Sequence, residues 1–140
     1  MIVPDTSVLV AGFVVEHPFH DAAKSAVAEV RDEGCLAAHT TAETYSVLSS
    51  PGGCFRVDPK TVVEYVDEFL EGSVPIQPGP DAYREALRVL ASAGRGGASI
   101  YDALIALTAR DAGATLISLD RRAQPTYELC GATVKYLDVG

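Results

Sequence analysis

Ala114-Thr115-Leu116-Ile117-Ser118-Leu119-Asp120 is the stretch on which the fold turns. Its short apolar run, bounded by Gly113 and Asp120, is the clearest strand in the chain. Before it, Ile100 to Ala112 has the length and character of a helix, with Gly113 as its C-cap. After it, a short helix follows Asp120, and Thr133-Val134-Lys135-Tyr136-Leu137 closes a sheet. Helix, strand, helix, strand is the signature of a parallel sheet with crossover helices.

The rest of the chain repeats that alternation. Ile2-Val3 opens as a strand, with a helix from about Thr6 to Phe13. A second helix, His20 to Glu33, carries Ala22, Ala23, Ala26, Val27 and Val30 on one face and stops at Gly34. Cys35-Leu36-Ala37-Ala38 is the next strand, followed by a helix from Thr41 to about Leu48. Pro51-Gly52-Gly53 breaks the chain, and Asp58-Pro59 starts a helix with an N-cap and an N1 proline. That helix ends at Gly72 and presents Val62, Val63, Val66, Phe69 and Leu70. Val74-Pro75-Ile76 is a short strand, and a helix runs from about Asp81 to Ala93. The expected fold is α/β in three layers: a central parallel sheet of about five strands with helices on both faces, in one domain spanning 1–140.

Composition narrows the function. No apolar run reaches the roughly 20 residues of a membrane-spanning helix. Met1-Ile2-Val3-Pro4-Asp5 has neither a basic leader nor a cleavage site, so no signal peptide is expected. Cys35, Cys54 and Cys130 are odd in number and lack paired spacing, which points to reduced thiols in a cytoplasmic chain. Net charge is −8, from 11 basic and 19 acidic side chains. That balance disfavours non-specific nucleic-acid binding, but a divalent ion held by carboxylates can still bring a phosphate to the surface.

Four acids carry the chemistry: Asp5, Glu43, Asp102 and Asp120. Each has an ordinary explanation. Thr40-Thr41-Ala42-Glu43 and Ser99-Ile100-Tyr101-Asp102 have the layout of capping boxes, and Asp5 and Asp120 stand where an aspartate N-cap is common. In a parallel sheet, however, every strand ends on one edge, where ligands bind. Asp5, Glu43 and Asp120 each follow a strand on that edge, and Asp102 begins the helix leading to the last of these strands. If the first and fourth strands are neighbours, Asp5 and Asp120 become adjacent. Carboxylates about 5 Å apart repel by roughly 3 kcal/mol per pair at an effective dielectric near 20. A hard divalent cation, Mg²⁺ or Mn²⁺, is the usual reason to keep such a cluster.

At these residues the sequence resembles PIN-domain ribonucleases, specifically the VapC-type toxins of bacterial toxin–antitoxin pairs. The resemblance rests on Asp5-Thr6-Ser7-Val8-Leu9, the Glu43 helix, Tyr101-Asp102-Ala103-Leu104-Ile105-Ala106 and Leu116-Ile117-Ser118-Leu119-Asp120-Arg121, in order across nearly the whole chain. It implies a Mg²⁺-dependent endoribonuclease, with Mn²⁺ as a possible substitute, acting as a homodimer and restrained by a cognate antitoxin protein. Asp5 and Asp102 would be the principal metal ligands, and Glu43 and Asp120 would complete the cluster directly or through water. Thr6 and Ser7 would lie beside the site and contact a bound water or phosphate. The family often has Thr two residues before the last acid and an aromatic soon after it. Here those places hold Ser118 and Ala123-Gln124-Pro125.

Other residues are read beside these. Arg121 is the leading candidate for a phosphate clamp, ahead of Arg122 and Arg95, since Arg binds phosphate bidentately. His17 and His20 read as surface or capping residues and His39 as a loop residue. Tyr45, Tyr65, Tyr83 and Tyr101 read as packing. The apolar faces of 59–71 and 81–93 exceed one small core and suggest a dimer or antitoxin surface. A receiver-like signalling domain would need an aspartate after the third strand, where Gln77-Pro78-Gly79 stands. A catalytically silent PIN-like binding module is the alternative.

Overall fold

The computed structural model describes residues 1–138; Val139 and Gly140, the last two residues of the expected domain, lie outside the described residues. Among the described residues are five strands: β1 (Ile2–Pro4), β2 (Cys35–Ala37), β3 (Val74–Ile76), β4 (Thr115–Ser118) and β5 (Val134–Tyr136). Seven α-helices connect and follow them: α1 (Thr6–Phe13), α2 (His20–Glu33), α3 (Ala38–Ser49), α4 (Pro59–Gly72), α5 (Pro80–Ser92), α6 (Ser99–Asp111) and α7 (Gln124–Leu129). Arg121–Ala123 forms a single 3-10 turn before α7.

β4 is the middle strand of the larger sheet. It pairs in parallel with β1, Val3 opposite Leu116, and with β5, Ile117 opposite Lys135. Strand side chains alternate between faces, so Leu116 packs with the α5, α6 and α7 residues Leu90, Leu107 and Tyr127. Ile117 packs on the opposite face with Leu9, Val27 and Phe69 of α1, α2 and α4. The two cores make the helix–sheet–helix layering explicit. A third apolar group joins Val10, Leu48, Val62 and Val66 between α1, α3 and α4.

The expectation of one sheet of about five strands needs correction. Hydrogen bonding divides the strands into a three-stranded sheet, β1-β4-β5, and a two-stranded sheet, β2-β3. The break falls between β1 and β2, and Pro4 supplies a reason. Asp5 N–H donates to Ile117 O (3.0 Å) and Thr115 N–H to Met1 O (3.0 Å), so the odd-numbered residues of this strand bond to β4. The groups turned the other way belong to Ile2 and Pro4, and proline has no N–H to give. Ile2 O receives the Cys35 thiol at 3.6 Å instead of a ladder bond. Gly34 is required at this seam, because a Cβ there would lie 2.9 Å from Ile2 O and 2.7 Å from Val30 Cα.

Helix ends follow their caps. Asp58 accepts from Lys60 N ahead of Pro59, and α6 closes through Gly113 at φ +66°. α3 differs from expectation, since it starts at Ala38 directly from β2 with Ala37 at the N-cap. Thr40 is therefore a fully buried helical residue, and Thr40 to Glu43 is not a capping box. Cys35 and Cys130 are buried free thiols and Cys54 is exposed. No described helix is long and apolar enough to cross a membrane.

Candidate active site

The carboxyl edge of β1 and β4 is tied together through Asp5. Its carboxylate is 3 % exposed and caps α1 by accepting from Val8 N at 3.3 Å. One oxygen also accepts from Ser7 Oγ; the other accepts from Ser118 Oγ and from Tyr127 Oη, the latter at 2.9 Å. Ser7 Oγ in turn accepts from Leu119 N (2.9 Å), and Ser118 Oγ accepts from Asp120 N (2.9 Å). Burial pushes the Asp5 carboxyl upward in pKa, and these four hydrogen bonds oppose that shift. Tyr127 gave no signal in the sequence, since it acts on a residue 122 positions away. Replacing it with Phe keeps the ring and deletes one bond to an ionisable acid. Tyr127→Phe is expected to cost about 1.5–3 kcal/mol in urea unfolding at neutral pH; a loss below about 0.5 kcal/mol would mean the other donors suffice.

Asp120 caps the turn that follows β4, accepting from Arg122 N at 3.0 Å. So two of the four acids, Asp5 and Asp120, are N-caps as well as members of the edge. Glu43 and Asp102 are not caps. The N-cap of α6 is Ala98, and Ser99 donates its hydroxyl to Gly96 O instead of serving a capping box. Asp102, in the first turn of α6, is pushed up to about 6 by burial first and then by the charges of Asp120, Glu43 and Asp5; Arg122 alone pulls it down. All three other acids act on Asp102, so the four share one local field. Glu43 is also raised, by burial above all, with His39 and Thr6 favouring its charged form.

All four acids line one cleft of about 620 Å³, together with Thr6, Ser7, Arg121 and Arg122. Arg121 lies 4.1 Å above the Tyr136 ring and 4.0 Å from Asp138, whereas the Arg122 side chain is 95 % exposed and lies nearest Asp120. Arg95 is elsewhere engaged: its Nε donates to Thr126 Oγ1 at 3.1 Å, which ties the glycine-rich loop to α7. His39 is helical, not in a loop; its ring stacks on Tyr101 (centroids 5.0 Å, 9° apart), and its Nε2 is 3.6 Å from Glu43 Oε1. Tyr65 packs as expected, but Tyr45, Tyr83 and Tyr101 are exposed.

A model of the PIN domain matches residues 2–129. The chain belongs to the PIN domain family. Ribonuclease VapC40 of Mycobacterium tuberculosis is 40 % identical to this PIN domain over 129 residues, covering 91 % of this chain and 92 % of that protein. The fold also matches two solved structures at 19 % identity. VapC20 of Mycobacterium tuberculosis, a Sarcin-Ricin loop cleaving toxin, has a TM-score of 0.71 over 89 % of this chain and 94 % of that one. VapBC2 of Rickettsia felis, bound to a DNA fragment from its promoter, has a TM-score of 0.70 over 99 % and 100 %.

The donor set of this PIN domain suits a hard cation, because it is all carboxylate and hydroxyl oxygen. Thr6 Oγ1 and Glu43 Oε1 are buried at the cleft with no hydrogen bond of good geometry, and His39 Nε2 stands 3.6 Å from Glu43 Oε1. Among the described residues no three His, Cys, Asp or Glu side chains form a cage that would hold an ion on protein ligands alone. Mg²⁺ is commonly held by one or two carboxylates while keeping several waters, so the arrangement fits that ion with part of its hydration retained.

Proposed function

We propose that this protein is a Mg²⁺-dependent endoribonuclease and the toxin of a toxin–antitoxin pair, acting in the cytoplasm. The observation that carries the reading is the gathering of Asp5, Glu43, Asp102 and Asp120 at one cleft, with Asp102 pushed up to about 6 by burial and its three acidic neighbours. Such mutual repulsion calls for a compensating cation. The name and 40 % identity of the VapC40 ribonuclease support RNA as the substrate.

Asp5 and Asp102 would hold the ion, with Glu43 and Asp120 completing the cluster directly or through water; Mn²⁺ would serve in place of Mg²⁺. When bound, the ion supplies an activated water and neutralises charge on the phosphate. The chain does the positioning. Ser7, Ser118 and Tyr127 fix both oxygens of Asp5 before any ligand arrives, so little reorganisation is needed. Thr6 and Ser7 stand beside the site, and Arg121, braced against Tyr136, holds a phosphate oxygen. The antitoxin partner is supported by the likeness to VapBC2, and a homodimer by the exposed apolar residues Val63, Leu70, Tyr83 and Leu87 on α4 and α5.

The test is purified protein with total RNA and Mg²⁺. Cleavage is expected, and EDTA or Asp5→Asn should abolish it. Metal-independent cleavage, or cleavage insensitive to the substitution, would refute the mechanism.

A further inference from the structure

The cleft that holds the four acids does not end at them. It extends between α1 and α3, where Thr6 and Val10 stand one helical turn apart on one side and Glu43 and Val47 on the other. One turn corresponds to roughly 6 Å of travel away from the carboxylates. The lining also includes His17 and Phe19, from the loop after α1. At about 620 Å³ the cleft is in the size range of sites that enclose an organic ligand, larger than an ion and a phosphate require.

Hydrogen bonds fix the backbone of this loop and the His17 ring. His17 N donates to Val14 O and His20 N to His17 O, both at 3.0 Å, and His20 Nδ1 is 2.8 Å from Ala11 O. Phe19 N donates to His17 Nδ1 at 3.1 Å, which places the proton of the neutral imidazole on Nε2 and leaves it as a donor. The two rings lie 6.1 Å apart and tilted by 53°. Phe19 is half-buried, yet among the described residues it packs into none of the three apolar cores. Phe19 lines the cleft with its ring beside that of His17, outside the three cores.

We infer that Val10, Val47, His17 and Phe19 form a nucleobase subsite, in which the base next to the cleaved phosphate lies over the valines and stacks on Phe19. This rests on the ribonuclease reading above and adds a determinant of sequence preference. The chemistry is that of single-strand recognition, an aromatic face for stacking and a directed N–H donor for a base acceptor. Metal and base are recognised by different residues, so the two can be separated by substitution.

The chain has no tryptophan, so Phe19→Trp places a single fluorophore in the subsite. The four nucleoside 5′-monophosphates, each titrated with Mg²⁺, are expected to quench it saturably and unequally. They should not quench Leu129→Trp, whose exposed site sits in a separate depression beside Arg88 and Val89. In cleavage of an RNA with randomised sequence, Phe19→Ala should flatten the cut-site preference and raise KM for the preferred site roughly 5- to 100-fold. Its Mg²⁺ requirement should be unchanged, and Phe19→Tyr should restore the preference. An unquenched signal from the Phe19→Trp variant, together with an unchanged cut-site profile for Phe19→Ala, overturns the subsite, whether or not RNA is cut. Indole fluorescence of Phe19→Trp that follows protein concentration instead of nucleotide also overturns it, in favour of contact with a second copy. Quenching without RNA cleavage by the wild type keeps the subsite and refutes the ribonuclease reading instead.

Discussion

Asp102→Asn is expected to yield a protein that melts above the wild type in the absence of metal, yet cleaves RNA at least about a thousand-fold more slowly in its presence. Asp102 titrates near 6 in the fold, against an ordinary value of 3.8. A carboxyl raised in this way binds its proton more tightly folded than unfolded, so the fold is favoured at low pH. Stability then falls as pH rises from about 4 to about 6, and the full penalty is present at neutral pH. Asparagine removes the charge and with it the repulsion from Asp120, Glu43 and Asp5. The formal shift is near 3 kcal/mol, but Asp102 is partly open to water, so screening reduces the expected gain to about 1–2 kcal/mol. The catalytic loss has the opposite sign because the same carboxylate would hold the ion. In the wild type, protons should compete with Mg²⁺, and cleavage should decline as pH drops through about 6. A metal-free variant melting below wild type would show that burial and the neighbouring acids do not penalise the Asp102 charge. Retained cleavage would remove Asp102 from the metal site.

The second large effect is on stability. Phe69→Ala is expected to cost about 3–5 kcal/mol, lowering the melting temperature by roughly 10–20 °C. Phe69 is 1 % exposed and packs with Leu36 and Ile117 beneath the sheet. Its ring also meets Tyr65 edge-on (5.0 Å, 87°), and Tyr65 donates to Leu9 O of α1 at 2.7 Å. The loss should therefore reach the helix that Asp5 caps and weaken metal-dependent cleavage indirectly. Leu70→Ala, one residue on and 43 % exposed, should change stability by no more than about 0.5 kcal/mol at protein concentrations that keep the chain monomeric. Equal effects at the two positions in urea unfolding would contradict the face assigned to α4.

Much of this was legible without coordinates. The apolar run at Leu116-Ile117 announced a strand, and Asp58-Pro59 and Gly113 marked helix ends, because each depends on groups a few residues apart. The parallel alternation placed Asp5, Glu43 and Asp120 after strands, and β1 does lie beside β4, although Glu43 follows β2 of the smaller sheet. The same local patterns misled at Thr40 and Ser99, where a capping-box spacing occurs inside helices that start elsewhere.

What the sequence by itself determined was the order of elements and the positions of Asp5, Glu43 and Asp120 after strands and of Asp102 at a helix start. Only the tertiary structure decided that Pro4 parts β1 from β2, that Arg95 serves α7, and that Tyr127 reaches Asp5. It also decided which acids are buried and mutually repelling, and that His17 and Phe19 complete the cleft. Helix and strand signals arise from neighbours in the chain. Burial, charge coupling and the missing ladder bond arise between residues that meet only after folding.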